Sequence, residues 1–295
     1  MCVDTTVITR DNVELSVREH GSPSAAHTVV LLHGFCLDKS SWALQVDALE
    51  SRYGGDVRVI SYDHRGHGLS QRSGMSTYSI DQLARDLSDV MEAMNVRGHV
   101  TLAGHSMGGM TMLRYMGMED RSVDPESLVL VATAAGKLAR RGVGVLLASP
   151  AVTALWHSVN TVPDRLLEPV VRKVSAPIIH GLINHAAYPV GGCDAQVTAT
   201  SWSINATSLR TKVGFMNALR TYDAYDVLER IGSMTTILSG GRDFLTPREH
   251  SDDMALRIPG AKHLHFPSAG HMLLHEVPDA VTSALETFAV SRAFA

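Results

Sequence analysis

Ala103-Gly104-His105-Ser106-Met107-Gly108-Gly109 is a Gly-x-Ser-x-Gly pattern that follows an apolar run, a placement that forces a serine into a sharp strand-to-helix turn. Before it, His99-Val100-Thr101-Leu102 predicts a short buried strand. After it, Met110 to Met118 carries apolar residues at helical spacing and predicts a helix. Glycine at 104 and 108 has a steric reason, because a Cβ two residues either side of a strained turn would collide with the adjoining strand or helix. A glycine-rich turn with an incidental serine is the ordinary alternative, and the strand–turn–helix context weighs against it. Ser106 is the candidate nucleophile.

A serine hydroxyl is a poor nucleophile, so such a site needs a histidine base and an acid that orients it, which follow an elbow of this kind in the order acid, then histidine. Thr235-Thr236-Ile237-Leu238-Ser239 reads as a strand ending in Gly240-Gly241-Arg242-Asp243, so Asp243 falls on the loop past its carboxyl end, and Pro247 opens a helix. His263-Leu264-His265-Phe266 alternates like another strand, and Ser268-Ala269-Gly270-His271 follows as a loop. Of the 15 histidines, His271 is singled out as the base by this position, while His263, His265 and His275 read as structural. His271 and His275, followed by Glu276, have the spacing of two metal ligands on a helix, but Met272-Leu273-Leu274 stand where a zinc hydrolase would carry a glutamate. Neither a metal nor a cofactor is expected.

Thr28-Val29-Val30-Leu31-Leu32 is a continuous apolar run, as for a strand buried on both faces of a parallel sheet, and leads into His33-Gly34-Phe35. Acyl transfer develops an oxyanion that needs two backbone N–H donors, one after the nucleophile and one from the loop after this strand. Met107 and Phe35 are the candidates. Gly34 allows close approach, His33 reads as an anchor of the loop, and Cys36 as a small packed hydrophobe.

Read in order, His33-Gly34-Phe35, Tyr62-Asp63-His64-Arg65-Gly66-His67-Gly68-Leu69-Ser70, Gly104-His105-Ser106-Met107-Gly108-Gly109, Gly241-Arg242-Asp243 and Gly270-His271 resemble the α/β-hydrolase superfamily, in particular its lidded serine esterase- and lipase-like members and its cofactor-free haloperoxidases. The resemblance covers nearly the whole sequence. It implies an α/β fold with a mostly parallel, doubly wound sheet of about eight strands and an inserted helical lid. The Asp-x-Arg-Gly-x-Gly-x-Ser segment is a loop brace in that family, and Asp63 and Arg65 are expected to pair and cap the glycine turn beneath the site. Epoxide hydrolases and haloalkane dehalogenases carry aspartate at the elbow, so Ser106 argues against both. Carbon–carbon bond hydrolases often have asparagine before the serine, where this protein has His105.

With 295 residues, 45% of them hydrophobic, the protein is large enough to bury a sizeable core. Net charge is 26 − 30 = −4 with no long basic run, which gives no support for a nucleic-acid partner. Cysteines at 2, 36 and 193 make no disulfide framework, and Met1-Cys2-Val3-Asp4 begins no signal region. With no apolar run long enough to span a bilayer, a cytoplasmic protein is expected. Strand–helix alternation breaks after Leu128-Val129-Leu130-Val131, dividing the sequence into core 1–136, helical lid 137–225 and core 226–295. Within the lid, Gly142 to Trp156 is apolar, prolines are scattered, and Ser208 to Arg230 reads as helix. Lys137, Arg140 and Arg141 beside the apolar run allow transient lipid contact by the lid, although three charges are too few to claim it. Leu147 and Trp156 in the lid, with Cys36 and Leu245 in the core loops, are candidates to line an acyl pocket.

These readings converge on a small-molecule hydrolase of carboxylic esters with small to medium, or lipid-like, acyl groups. The same residues could serve a lactone, a thioester, a carbon–carbon bond beside a ketone, or perhydrolysis. A silent hydrolase fold used as a ligand receptor is the non-enzymatic alternative, and a missing triad member would have favoured it. Oligomeric state is left open.

Overall fold

The computed structural model describes residues 2–142, 156, 157, 159 and 194–286. The protein opens with β1 (Cys2–Ile8) and β2 (Glu14–His20), an antiparallel pair. Alternation of strand and helix follows: β3 (His27–Leu32), α1 (Ala43–Tyr53), β4 (Val57–Tyr62), α2 (Ile80–Ala93), β5 (His99–His105), α3 (Met107–Met116) and β6 (Ser127–Val131). Next among the described residues come α4 (Asp194–Ala206), α5 (Leu209–Thr221) and the short α6 (Tyr225–Leu228). The sheet is then completed by β7 (Met234–Gly240), α7 (Arg248–Arg257), β8 (Lys262–Phe266), α8 (Leu273–Glu276) and α9 (Pro278–Leu285).

The eight strands form one sheet in the order β1-β2-β4-β3-β5-β6-β7-β8, antiparallel at β1/β2 and β2/β4 and parallel from β4 to β8. Continuous burial of β3, β4 and β6 follows from covering both faces, which selects apolar runs over alternation. On one face, Val30, Leu32, Leu102 and Leu130 pack with Leu83, Leu87, Met110 and Leu113 of α2 and α3. On the other, Val29, Leu31, Ala103 and Val129 pack with Val46 and Leu49 of α1 and Val281 and Leu285 of α9. The parallel strands therefore end on a single edge, the place where open α/β sheets hold their ligands.

The described part of the insertion between β6 and β7 is helical, with Ser208 capping α5 through its hydroxyl on the Thr211 N–H. The helix expected from Ser208 to Arg230 is broken. Tyr222 and Asp223 leave it because the backbone is tied back to the core, with Ala224 N–H donating to Ala135 C=O at 2.7 Å and Asp223 bridging Gly136. Arg141 and Lys137 form half-exposed ion pairs with Asp253 of α7 at 2.9 and 4.0 Å. Among the described residues, no helix is long and apolar enough to cross a membrane.

Candidate active site

Ser106 stands at the end of β5 with φ 51° and ψ −116°, a left-handed backbone that a residue with a Cβ rarely adopts. Such a conformation costs about 1–3 kcal/mol and persists only where the surroundings over-determine it. Here they do: the Ser106 N–H donates to Val131 C=O at 2.9 Å, and the Ser106 C=O accepts the Thr133 hydroxyl at 2.6 Å and the Gly109 N–H at 3.0 Å. Any Cβ on Gly104 would stand 2.4 Å from Gly109 N, and one on Gly108 would stand 2.3 Å from Leu32 O. Both glycines of the pattern are thus required by close backbone approach. The helix begins at Met107, directly after the serine.

Past the end of β7, Asp243 is buried and its carboxylate is fully engaged. Oδ1 accepts the Leu245 and Thr246 N–H groups at 2.8 and 2.9 Å, while Oδ2 accepts the Thr246 hydroxyl at 2.7 Å and His271 Nδ1–H at 2.8 Å. Burial alone raises this carboxyl, but the His271 imidazole and these hydrogen bonds outweigh it and hold Asp243 below the usual carboxylate range. With the proton on Nδ1, the His271 Nε2 is left as an acceptor. Glu276 accepts the Gly270 N–H on both carboxylate oxygens at 2.9 and 3.0 Å and so fixes the peptide preceding Gly270, next to His271. Among the described residues, the Ser106 hydroxyl makes no hydrogen bond.

At the end of β3, a Cβ on Gly34 would lie 3.3 Å from the Ser106 Cβ, so the His33-Gly34-Phe35 loop passes directly over the elbow. The Phe35 and Met107 N–H groups donate to no other group among the described residues. His33 anchors the loop, donating from Nδ1 to the Gly34 C=O at 2.8 Å and accepting the His64 N–H on Nε2 at 2.9 Å. Phe35 packs edge-on to His67 and to Phe215 of α5 at 6.2 and 6.4 Å. Beside it, Cys36 is buried at φ 61° and its thiol is pushed up to about 12 by burial, the behaviour of a packed group rather than a nucleophile.

Asp63 and Arg65 do not pair with each other. Asp63 accepts the Lys39 ammonium and backbone N–H, both at 2.7 Å, and the Leu69 N–H at 2.9 Å. Arg65 instead reaches Asp86 of α2 at 2.5 Å and Asp11 at 2.8 Å. Both residues lie beyond the end of β4, and the brace is three ion pairs in two separate groups, Asp63 with Lys39 and Arg65 with Asp86 and Asp11. Of the pocket candidates, Leu245 is partly exposed beside Asp243, Trp156 packs partly buried against the main core, and Leu147 lies outside the described residues.

His263 Nε2 and His265 Nδ1 both meet the Ser239 hydroxyl, and His275 Nε2 donates to the Ser41 C=O. Because His271 faces Asp243 and His275 faces the approach to α1, the two do not converge, and the described residues gather no group of three or more metal-ligating side chains. Thr246 and Glu276 are contributors that the motifs did not reveal, whereas Thr133 lies just past β6, whose end the sequence directs to the site. Only Thr246 left a local signal, since an aspartate followed by backbone N–H groups two and three residues on is an Asx turn.

An eight-stranded sheet with a strained serine at the end of its fifth strand and an Asp–His pair on the last two loops defines a hydrolase of the α/β type. The model of the alpha/beta hydrolase fold family matches residues 27–278, and the chain belongs to that family. It is 25% identical to the AB hydrolase superfamily protein YisY of Bacillus subtilis over 291 residues, 96% of this chain and 98% of that one. An esterase from Exiguobacterium antarcticum superposes with TM-score 0.76 at 22% identity, covering 97% of this protein and 99% of the other. A bromoperoxidase from Bacillus anthracis superposes with TM-score 0.76 at 24% identity over 97% and 99%.

Proposed function

We propose that this hydrolase cleaves carboxylic esters of small to medium acyl length through an acyl-enzyme, with Ser106, His271 and Asp243 as its triad. The observation that carries the reading is the His271 Nδ1–Asp243 Oδ2 hydrogen bond of 2.8 Å, on a loop joined through His105 to a serine held at φ 51°. Ser106 Oγ attacks the ester carbonyl while His271 Nε2 takes its proton, and the carbonyl oxygen becomes an oxyanion held by the Phe35 and Met107 N–H groups. Collapse breaks the acyl–oxygen bond, and the alcohol leaves with the proton from His271. Water, deprotonated by the same imidazole, then attacks the acyl-enzyme and regenerates Ser106. Asp243 stays ionised throughout and holds the imidazole in the required tautomer.

The insertion 137–225 is the lid in this reading, and Cys36, Leu147, Trp156 and Leu245 shape the acyl pocket. Varying Trp156 or Leu245 in size is then expected to shift relative kcat/KM between short and long acyl esters, with each methylene of fit worth ~1–3 kcal/mol.

A series of p-nitrophenyl esters from acetate to decanoate, run beside fluorophosphonate labelling, tests the proposal. Turnover that peaks among the shorter esters, with the adduct on Ser106, is the expected result. Labelling without turnover of any ester, but with turnover of a lactone, a thioester or peracid formation, would overturn the ester assignment. Absence of labelling in folded protein would point to a non-catalytic ligand receptor.

A further inference from the structure

His105, the residue before the candidate nucleophile, is 1% exposed and takes no part in the chemistry proposed above. Its Nε2–H donates to the backbone carbonyl of His271 at 2.9 Å, and the two rings lie 4.9 Å apart with planes tilted by 54°. The other nitrogen, Nδ1, has no hydrogen-bond partner among the described residues and faces Gly34, where a Cβ would stand 2.7 Å away. A buried imidazole nitrogen without a partner carries a desolvation cost, and a glycine is spent on making room for the ring. That points to a function for the bond made by the opposite nitrogen.

The backbone of the loop bearing the base is held by the Arg242 N–H on Ala269 C=O at 2.9 Å, by Glu276 and by His105. Glu276 holds the Gly270 N–H, but α8, which carries Glu276, belongs to the same stretch of backbone as His271 and can move with it. His105 holds the next carbonyl and belongs to the elbow, one peptide bond from Ser106, whose backbone is fixed by Val131 and Thr133. We propose that His105 is a positioning residue that registers the base against the nucleophile by tying the His271 peptide to the elbow through its Nε2–H. The proposal rests on the assignment of Ser106 and His271 above.

The residue type fits the task. Its donor has to be uncharged, because His271 becomes a cation each time it takes the serine proton and a second buried cation 4.9 Å away would oppose that step. Neutral imidazole supplies such a donor, and a glutamine amide has a similar reach. Leucine fills the space without donating.

The test compares wild-type protein with His105→Gln and His105→Leu, using p-nitrophenyl acetate turnover, the rate of phosphonylation of Ser106 by a fluorophosphonate, and the melting temperature. His105→Leu is expected to lower kcat and the phosphonylation rate by about 10- to 100-fold through misplacement of the base, with KM within about 2-fold, while His105→Gln returns both to within about 3-fold of wild type. A His105→Leu protein that melts like wild type and reacts at wild-type rates would overturn the proposal. So would equal losses in the two variants, which would make ring volume rather than the donor responsible. If the leucine variant does not fold, His105→Asn, whose amide stops short of the His271 carbonyl, takes its place with the same expected loss. Ser106→Ala separates the two levels: activity surviving in it overturns the triad, whereas inert Ser106→Ala beside fully active His105→Leu overturns only the role of His105.

Discussion

Thr246 grips both oxygens of Asp243, its N–H on Oδ1 at 2.9 Å and its hydroxyl on Oδ2 at 2.7 Å. The carboxylate that accepts the His271 Nδ1–H is thereby oriented itself, by a residue three positions along the same loop. Hydrogen bonds to charged groups contribute about 1.5–3 kcal/mol each, so Thr246→Val is expected to lower kcat by about 10-fold or more, and Thr246→Ser to restore it. Steady-state turnover of p-nitrophenyl acetate by the two variants checks this, and equal activity in both would contradict it.

Replacing His105 by glutamine is expected to leave the position of the acid limb of the pH–rate profile between pH 5 and 8 unchanged. Asp243 is held below the usual carboxylate range, and burial, aided by the nearby His271, pushes His105 down to about 3. Neither therefore changes charge in that interval, whereas burial raises Glu276, which holds the Gly270 N–H, above its usual range. A limb of kcat/KM displaced in His105→Gln relative to wild type would contradict this.

Folding stability is expected to fall on mild acidification for the same reason. Burial pushes both His67 and His105 down to about 3, whereas in the unfolded protein each binds a proton below about 6.5. The unfolded state therefore takes up protons that the folded state refuses, and stability is lost as pH falls from about 6.5 towards the folded values, at a limit of about 1.4 kcal/mol per pH unit for each histidine. Urea midpoints at pH 7 and pH 5 measure it. His67→Asn, which can still donate to Arg65 C=O, should flatten the dependence; an unchanged slope would remove His67 from the account.

The guanidinium of Arg65 is fully buried, paired with Asp86, itself fully buried, and with Asp11. Arg65→Met leaves the Asp86 carboxylate enclosed without its cation and is expected to cost about 3–5 kcal/mol in chemical denaturation. The double variant with Asp86→Leu should recover much of that loss, because no buried charge remains. A single variant as stable as wild type would mean that Asp86 finds another partner.

The elbow was legible because its signal is local: two glycines forced by backbone approach, a serine between them and an apolar strand in front. Asp243 and His271 were legible because each follows a strand-like run on a short loop, and the sheet brings those loop positions to one edge. The partners of Asp63 and Arg65 were not legible, since Lys39, Asp86 and Asp11 come from three other segments and no spacing marks them. The overrun of α5 has a similar origin. Tyr222-Asp223-Ala224 contains no glycine or proline, and its turn is set by hydrogen bonding to Ala135 and Gly136 across the fold. Tertiary contacts override helical propensity there.

The most direct test of the triad is Ser106→Ala assayed with p-nitrophenyl acetate beside wild-type protein of equal melting temperature. If Ser106, His271 and Asp243 act as one unit, kcat drops by about 10⁴-fold or more and fluorophosphonate labelling disappears. Wild-type turnover by the folded Ser106→Ala protein would contradict the account.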